Sequence, residues 1–233
     1  MDADAIYKTL LKVERKIGNE SVSICTSVRK TTQDNSSVAI GQSAGLTTQG
    51  ISSVAIGRSA GQRTQGSSSV AIGENAGVIT QGSSSVAIGR GAGTSSQGLA
   101  AVAIGQNSGR DLQSSSSVAI GRSAGTVSQG VSSVAIGQNA GQDSQGTLSI
   151  AIGQNAGQIN QGENCVAIGA NAGRNFQPTN TNVIGNFIEF SGSLGATGAT
   201  YINPIRNSNS TTLPTGFKQL AWNETTKEIV WFG

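Results

Sequence analysis

The chain has 233 residues, of which 33 are Gly, 36% hydrophobic, 4% aromatic and 12% charged, against a charged share of about 25% in an average globular domain. It contains no His, which excludes Ser-His-Asp triads, Cys-His pairs and His-ligated metal centres. A net charge of +3, from 15 Lys+Arg and 12 Asp+Glu, is too weak and scattered for nucleic-acid binding.

The first residues, MDADAIYKTLLKVERK, are charged throughout and hold no secretory apolar region. No apolar run approaches the roughly 18 residues that cross a bilayer, so direct membrane insertion is not expected. Ile6, Leu10, Val13 and Ile17 fall at 4-3-4 spacing, which predicts one short helix ending near Gly18. A helix of about 12–15 residues is marginal in water, so it either joins a three-helix bundle or caps the first turn of the region beyond it. Val22, Ile24 and the SVRKTTQD run lead in as strand and loop. Cys25 and Cys165 lie 140 positions apart with no CxxC or zinc spacing, and both read as small buried or half-buried residues.

From position 38 onward, Val-Ala-Ile-Gly recurs at Val38, Val54, Val70, Val86, Val102, Val118 and Val134, becomes Ile150-Ala-Ile-Gly, and returns at Val166. Every step is 16 residues, so nine turns read V-A-I-G-x-x-A-G-x-x-x-Q-G-x-S-S, each one structural turn. The alternating, β-branched strand motif places Val and Ile on one face and Ala on the other. Glycines from Gly41 and Gly45 to Gly169 and Gly173 mark the corners. Sixteen residues cannot hold a strand-helix-strand crossover, so successive turns stack directly as a parallel β-solenoid. Ordering one turn costs on the order of 16 kcal/mol of backbone entropy, whereas burying its Val and Ile returns about 3–6 kcal/mol, so stacking is obligatory. Nine turns make a rod of roughly 43 Å.

Val and Ile are expected to point inward. The opposite face then carries Ala39, Ala55, Ala71, Ala87, Ala103, Ala119, Ala135, Ala151 and Ala167, a uniform strip of small residues. A solvated face would vary, so this strip is expected to be the contact with neighbouring subunits. The alternative is that Ala serves tight packing inside a single two-layer coil.

S-V-A-I-G followed by x-x-A-G resembles the head-domain repeat of the trimeric autotransporter adhesins, the YadA-like heads, over about residues 36 to 178. The resemblance implies a left-handed parallel β-roll, three copies of which associate into a tight trimer that adheres to host surfaces. The Val, Ile and Gly positions carry over as structure only. The family's secretion signal, coiled-coil stalk and membrane barrel have no counterpart here, so a complete bacterial adhesin is not expected.

Beyond residue 178 the repeat decays. Asn182-Val-Ile-Gly185 keeps part of it, and Phe176, Phe187, Phe190 and Tyr201 are expected to plug the open end. Leu194 to Ala199 reads as a linker. Phe217 to Trp222 and Ile229 to Phe232 then predict a hairpin. The stretches Ala199 to Arg206 and Leu220 to Trp231 resemble segments near the ends of structural and fibre proteins of large DNA viruses. The expected organisation is an N-terminal helix and lead-in over 1–35, a β-roll over 36–181, and a capping segment with a small β unit over 182–233.

No glycine run matches G-x-x-x-x-G-K-[ST], and Asp occurs within the repeats only at Asp111 and Asp143, so neither phosphate loops nor a calcium solenoid is indicated. No enzyme activity, metal or cofactor is expected. The fifth position of the turns reads Gln42, Arg58, Glu74, Arg90, Gln106, Arg122, Gln138, Gln154 and Ala170. It is either a self-neutralising surface ladder, or Arg58, Arg90 and Arg122 form a strip for an anionic host glycan. The Thr ladder that an ice- or surface-binding solenoid would need breaks after Thr48, Thr64 and Thr80. The expected function is that of a non-enzymatic virion protein, a trimeric spike, fibre or minor capsid component used in host attachment. Its partners would be other virion or capsid proteins and a host glycan or receptor. The alternative is a fragment of a bacterial adhesin head, at the bacterial cell surface.

Overall fold

The structure is a computed structural model that describes residues 21–24, 32–186, 198–203, 219–223 and 228–232. The expected Ile6–Ile17 helix, Phe187 and Phe190 lie outside these residues. The chain divides into two units, Met1–Asn203 and Pro204–Gly233.

The first unit is an all-β parallel solenoid of about ten turns. One sheet has 12 parallel strands, from Val22–Ile24 through the Val-Ala-Ile strands to Asn182–Gly185 and Thr200–Asn203. The other has nine, from Thr32–Gln33 to Ile159–Gln161. The register is the sequence period itself: Val102 pairs with Val86 and Val118, one turn away on either side. Corners also bond between turns, as where Gly61 N donates to Ala76 O and Ser68 N to Ile51 O. One turn more than the sequence motif announces is present at the start, because Val22 pairs with Val38 and Ile24 with Ile40.

The strands alternate as expected, but with the opposite phase. Ala39, Ala55, Ala71, Ala87, Ala103, Ala119, Ala135, Ala151 and Ala167 are all 0% exposed within a single chain, whereas their Val and Ile neighbours are half-buried or, at Ile168, exposed. These alanines therefore line the interior and cannot be the contact between subunits. They form a column beside a second one, Ala44, Ala60, Ala76 and Ala92 in the first turns and Ala124, Ala140, Ala156 and Ala172 in the last. The reason is volume. A coil of 16 residues encloses a space so thin that two methyl groups and one extended side chain fill it, leaving no room for Val or Ile at native packing density.

That extended side chain is Gln. Gln49, Gln65, Gln81, Gln97, Gln113, Gln129, Gln145, Gln161 and Gln177 are buried, one per turn, and all but Gln177, which follows the last strand, lie on the second sheet. Each Nε2 reaches across to the first sheet; Gln49 donates to Val38 O at 2.7 Å and Gln113 to Val102 O at 2.8 Å. Several also donate to the carbonyl that precedes the strand, as Gln113 does to Ser117 O at 3.4 Å. In three places the ladder continues to the next turn, Gln97 to Gln113, Gln145 to Gln161 and Gln161 to Gln177, each at 3.1 Å.

The glycines are a consequence of this packing. Gly105 has φ +126°, and a Cβ there would lie 2.6 Å from Gly121 O of the next turn. Gly109, at φ +49°, faces the Gln amide, and a Cβ would meet Gln113 Oε1 at 2.5 Å. At the C-terminal end the interior position widens from Ala167 to Val183 to Tyr201, which are register partners. Tyr201 packs on the alanine column and closes it. Phe176, expected to help, is 48% exposed, because it stands at the outward eleventh position of its turn. The second unit holds the expected hairpin, with Gln219–Asn223 antiparallel to Glu228–Phe232.

Candidate functional site

With Ala turned inward, the outer face of the 12-stranded sheet is a double aliphatic ladder. Val occupies its first position from Val22 to Val134, then Ile150 and Val166. Ile occupies its third at every strand from Ile24 to Ile184 and again at Ile202. Val22, Ile24, Ile168, Ile184 and Ile202 are exposed and the rest half-buried. Only at the far end does polarity enter, where Asn182 and Thr200 take the Val position and Asn182 Nδ2 donates to Thr200 Oγ1 at 3.3 Å. No charge interrupts the face, which spans roughly 10 Å by 53 Å at ~4.8 Å per strand.

The three expected binding arginines are exposed and are not consecutive along their row. Arg58 is bonded to Glu74 of the next turn, a surface pair worth about 0–1 kcal/mol. Arg90 and Arg122 stand two turns apart with Gln106 between them. Arg110 pairs with its neighbour Asp111 at 2.8 Å.

Polar ladders that the repeat consensus conceals occupy the corner leading from the first sheet to the second. Asn139 Nδ2 donates to Asn155 Oδ1 and Asn155 Nδ2 to Asn171 Oδ1, both at 3.0 Å. Three residues further on, Gln158 Nε2 donates to Gln142 Oε1 at 2.8 Å and Arg174 Nε to Gln158 Oε1 at 3.0 Å. The asparagines hold φ values of 55° to 58°, the left-handed conformation that Asn tolerates better than other side-chain-bearing residues. The signal in the sequence is the QNAGQ run, repeated at Gln138 and Gln154.

Cys165 takes the place of the buried Ser that ends other turns, and its Sγ donates to Pro178 O at 2.9 Å. Burial pushes its thiol above the ordinary value, so it sits as a neutral packing group. Among the described residues no three His, Cys, Asp or Glu side chains gather in a metal-ligand cluster, and no helix is long and apolar enough to cross a membrane. No family model matches the chain, and neither a curated protein nor a solved structure is similar to it at a significant level.

Proposed function

We propose that the chain is a non-enzymatic structural protein of a virion, a homotrimeric spike or fibre, or a minor capsid component, that presents its outer surfaces for host attachment. The observation that carries the assembly is the uninterrupted Val/Ile face. Contiguous apolar patches of this size on a soluble chain mark interaction sites. A second copy repeats at the same strand spacing, so its aliphatic rows stay matched over the whole length, which an irregular globular partner cannot do. The threefold number rests on the likeness to the YadA-like heads. The virion reading rests on the likeness of residues 199–206 and 220–231 to structural proteins of large DNA viruses.

Light scattering tests the assembly. The full chain at micromolar concentration is expected at about 70 kDa, three chains of 23.4 kDa, and a mass near 23.4 kDa overturns it. Immunogold labelling of native particles tests the location, with label on particles expected and label on bacterial cells overturning it. Purified protein is expected to compete with particles for adsorption to the host. Normal adsorption in its presence, and by particles lacking the chain, would leave only a structural role.

A further inference from the structure

We infer that the corner built by Asn139, Asn155 and Asn171 with Gln142 and Gln158 is a binding site for a neutral glycan, a saccharide chain recognised through vicinal hydroxyls. This rests on the attachment role proposed above and names the ligand class and the residues that take it.

The ladders leave hydrogen-bonding capacity over. A primary amide carries two N–H donors and an oxygen with two lone pairs. Asn155 uses one N–H on Asn171 and one lone pair on Asn139. One donor and one acceptor therefore remain on the same planar group, whose N and O are bonded to one carbon. Gln158 accepts from Arg174 and donates to Gln142, and keeps a like pair. Adjacent sugar hydroxyls each donate and accept, so an amide edge with one donor beside one acceptor engages them as a pair.

These amides are also held in fixed order. A free surface Gln or Asn loses rotamer freedom when it binds, which weakens recognition. Here that freedom is already removed by bonds between turns, and the solenoid repeats the arrangement at ~4.8 Å, a spacing on the scale of one sugar ring. The two rows also run in opposite senses. The Asn row donates toward the C-terminal turns and the Gln row toward the N-terminal ones. Donors and acceptors of both orders are thus offered across a floor of buried Ala140, Gly141, Ala156 and Gly157.

Charge separates a neutral from an anionic ligand. Arg58 is tied to Glu74, and Arg90 and Arg122 lie on turns whose fifth-position neighbour Gln106 is uncharged. In the amide region the fifth position is Gln138, Gln154 and Ala170, Arg174 is bonded to Gln158, and Asp143 and Glu163 stand on the same turns. Such a surface offers hydroxyls partners and gives a polyanion no net attraction.

The test uses the full chain immobilised at high density against cellohexaose and maltohexaose, whose 1,4-linked residues keep vicinal 2- and 3-hydroxyls, with heparin as the anionic comparator. At least one neutral hexasaccharide is expected to bind with little change between 50 mM and 500 mM NaCl. The double variant N155L/Q158L is expected to weaken it at least tenfold, while R90A/R122A leaves it within twofold. Unchanged binding in N155L/Q158L, dependence on R90A/R122A, or binding of heparin alone overturns the site. Because leucine could disturb the turn, N155S/Q158S, which keeps the corner polar, must weaken binding as well, with an unchanged circular dichroism spectrum. If the protein binds host cells but N155L/Q158L does so equally, the glycan site fails and attachment stands. If the protein binds no host cell, attachment fails, and a retained hexasaccharide affinity still reports on the corner.

Discussion

At the scale of single residues, the interior of this solenoid is filled by alanine methyls, amides and hydroxyls, while the larger aliphatic side chains of Val and Ile stand outside. The hydroxyl of Ser53 donates to Gly50 O at 2.6 Å and that of Ser117 to Ser114 O at 2.6 Å, closing one corner in the same way turn after turn. The Gln amides give strand and corner carbonyls a second donor: Ser117 O accepts from Val102 N at 2.9 Å and also from Gln113 Nε2 at 3.4 Å. Replacing Gln113 by Leu removes the donor to Val102 O and Ser117 O. A hydrogen bond of this kind contributes about 0.5–1.5 kcal/mol net, so Gln113→Leu, which loses two, is expected to lower unfolding stability by about 1–3 kcal/mol in urea. Gln106→Leu, on an exposed position, is expected to change it by no more than about 0.5 kcal/mol. Equal shifts in the two variants would show that the buried column does not hold the fold. Side-chain identity also sets the backbone. At the eleventh position Ser96, Leu112, Ser128, Ser144, Asn160 and Phe176 take φ between 50° and 58°, whereas Thr48, Thr64 and Thr80 do not. A β-branched side chain makes the left-handed region costly, and those turns accordingly carry two-residue strands, Thr48–Gln49, Thr64–Gln65 and Thr80–Gln81, where later turns carry three.

At the scale of the element, the unit is the 16-residue turn, and its boundaries can be cut without loss of register. Deleting residues 118–133 joins Ser117 to Val134, the same Ser-Val step found at six of the nine intact junctions, and makes Val134 the neighbour of Val102. A rod one turn shorter, with an unchanged β-sheet circular dichroism signature per residue and a modestly lower melting temperature, is the expected result, since repeat stabilities add by nearest neighbours. Deleting 118–125 moves Val134 to a corner and Gln129 onto a glycine position, and is expected to yield aggregated protein. If both shortened chains fold alike, the turn is not the cooperative unit. The period is legible in the sequence because identical turns leave identical spacing. The first turn is not, because Cys25 and Arg29 stand where other turns carry glycine, although Gln33 keeps its place. The phase of the strand escapes the sequence for a physical reason. Placing the larger apolar side chains inward presumes an interior wide enough for them, and the width of the coil is visible only once the two sheets face each other. The Gln column and the amide ladders escape for a related reason, since hydrophobic periodicity carries no signal for polar side chains that bond to the turns above and below.

At the scale of the whole molecule, the inverted phase changes which substitution tests assembly. Ala103 is fully enclosed by its own chain, so Ala103→Arg forces a guanidinium into an interior that admits a methyl group. It is expected to abolish the β-sheet circular dichroism signal, which reports on folding and not on subunit contacts. Ile72 lies on the outer aliphatic ladder, half-buried and reachable by water in the single chain. Ile72→Asp therefore places its carboxylate where a lone solenoid can hydrate it. In a trimer closed on that face, three copies of the same charge are brought together without a cation, since neither Val nor Ile rows offer one. An unpaired charge enclosed in an apolar interface costs several kcal/mol, enough to shift a micromolar assembly to single chains. The expected outcome is a folded protein of about 23 kDa by light scattering, with the circular dichroism of the parent. A trimer that persists in Ile72→Asp would mean that the subunits meet elsewhere, and the Val/Ile face would then need a different occupant.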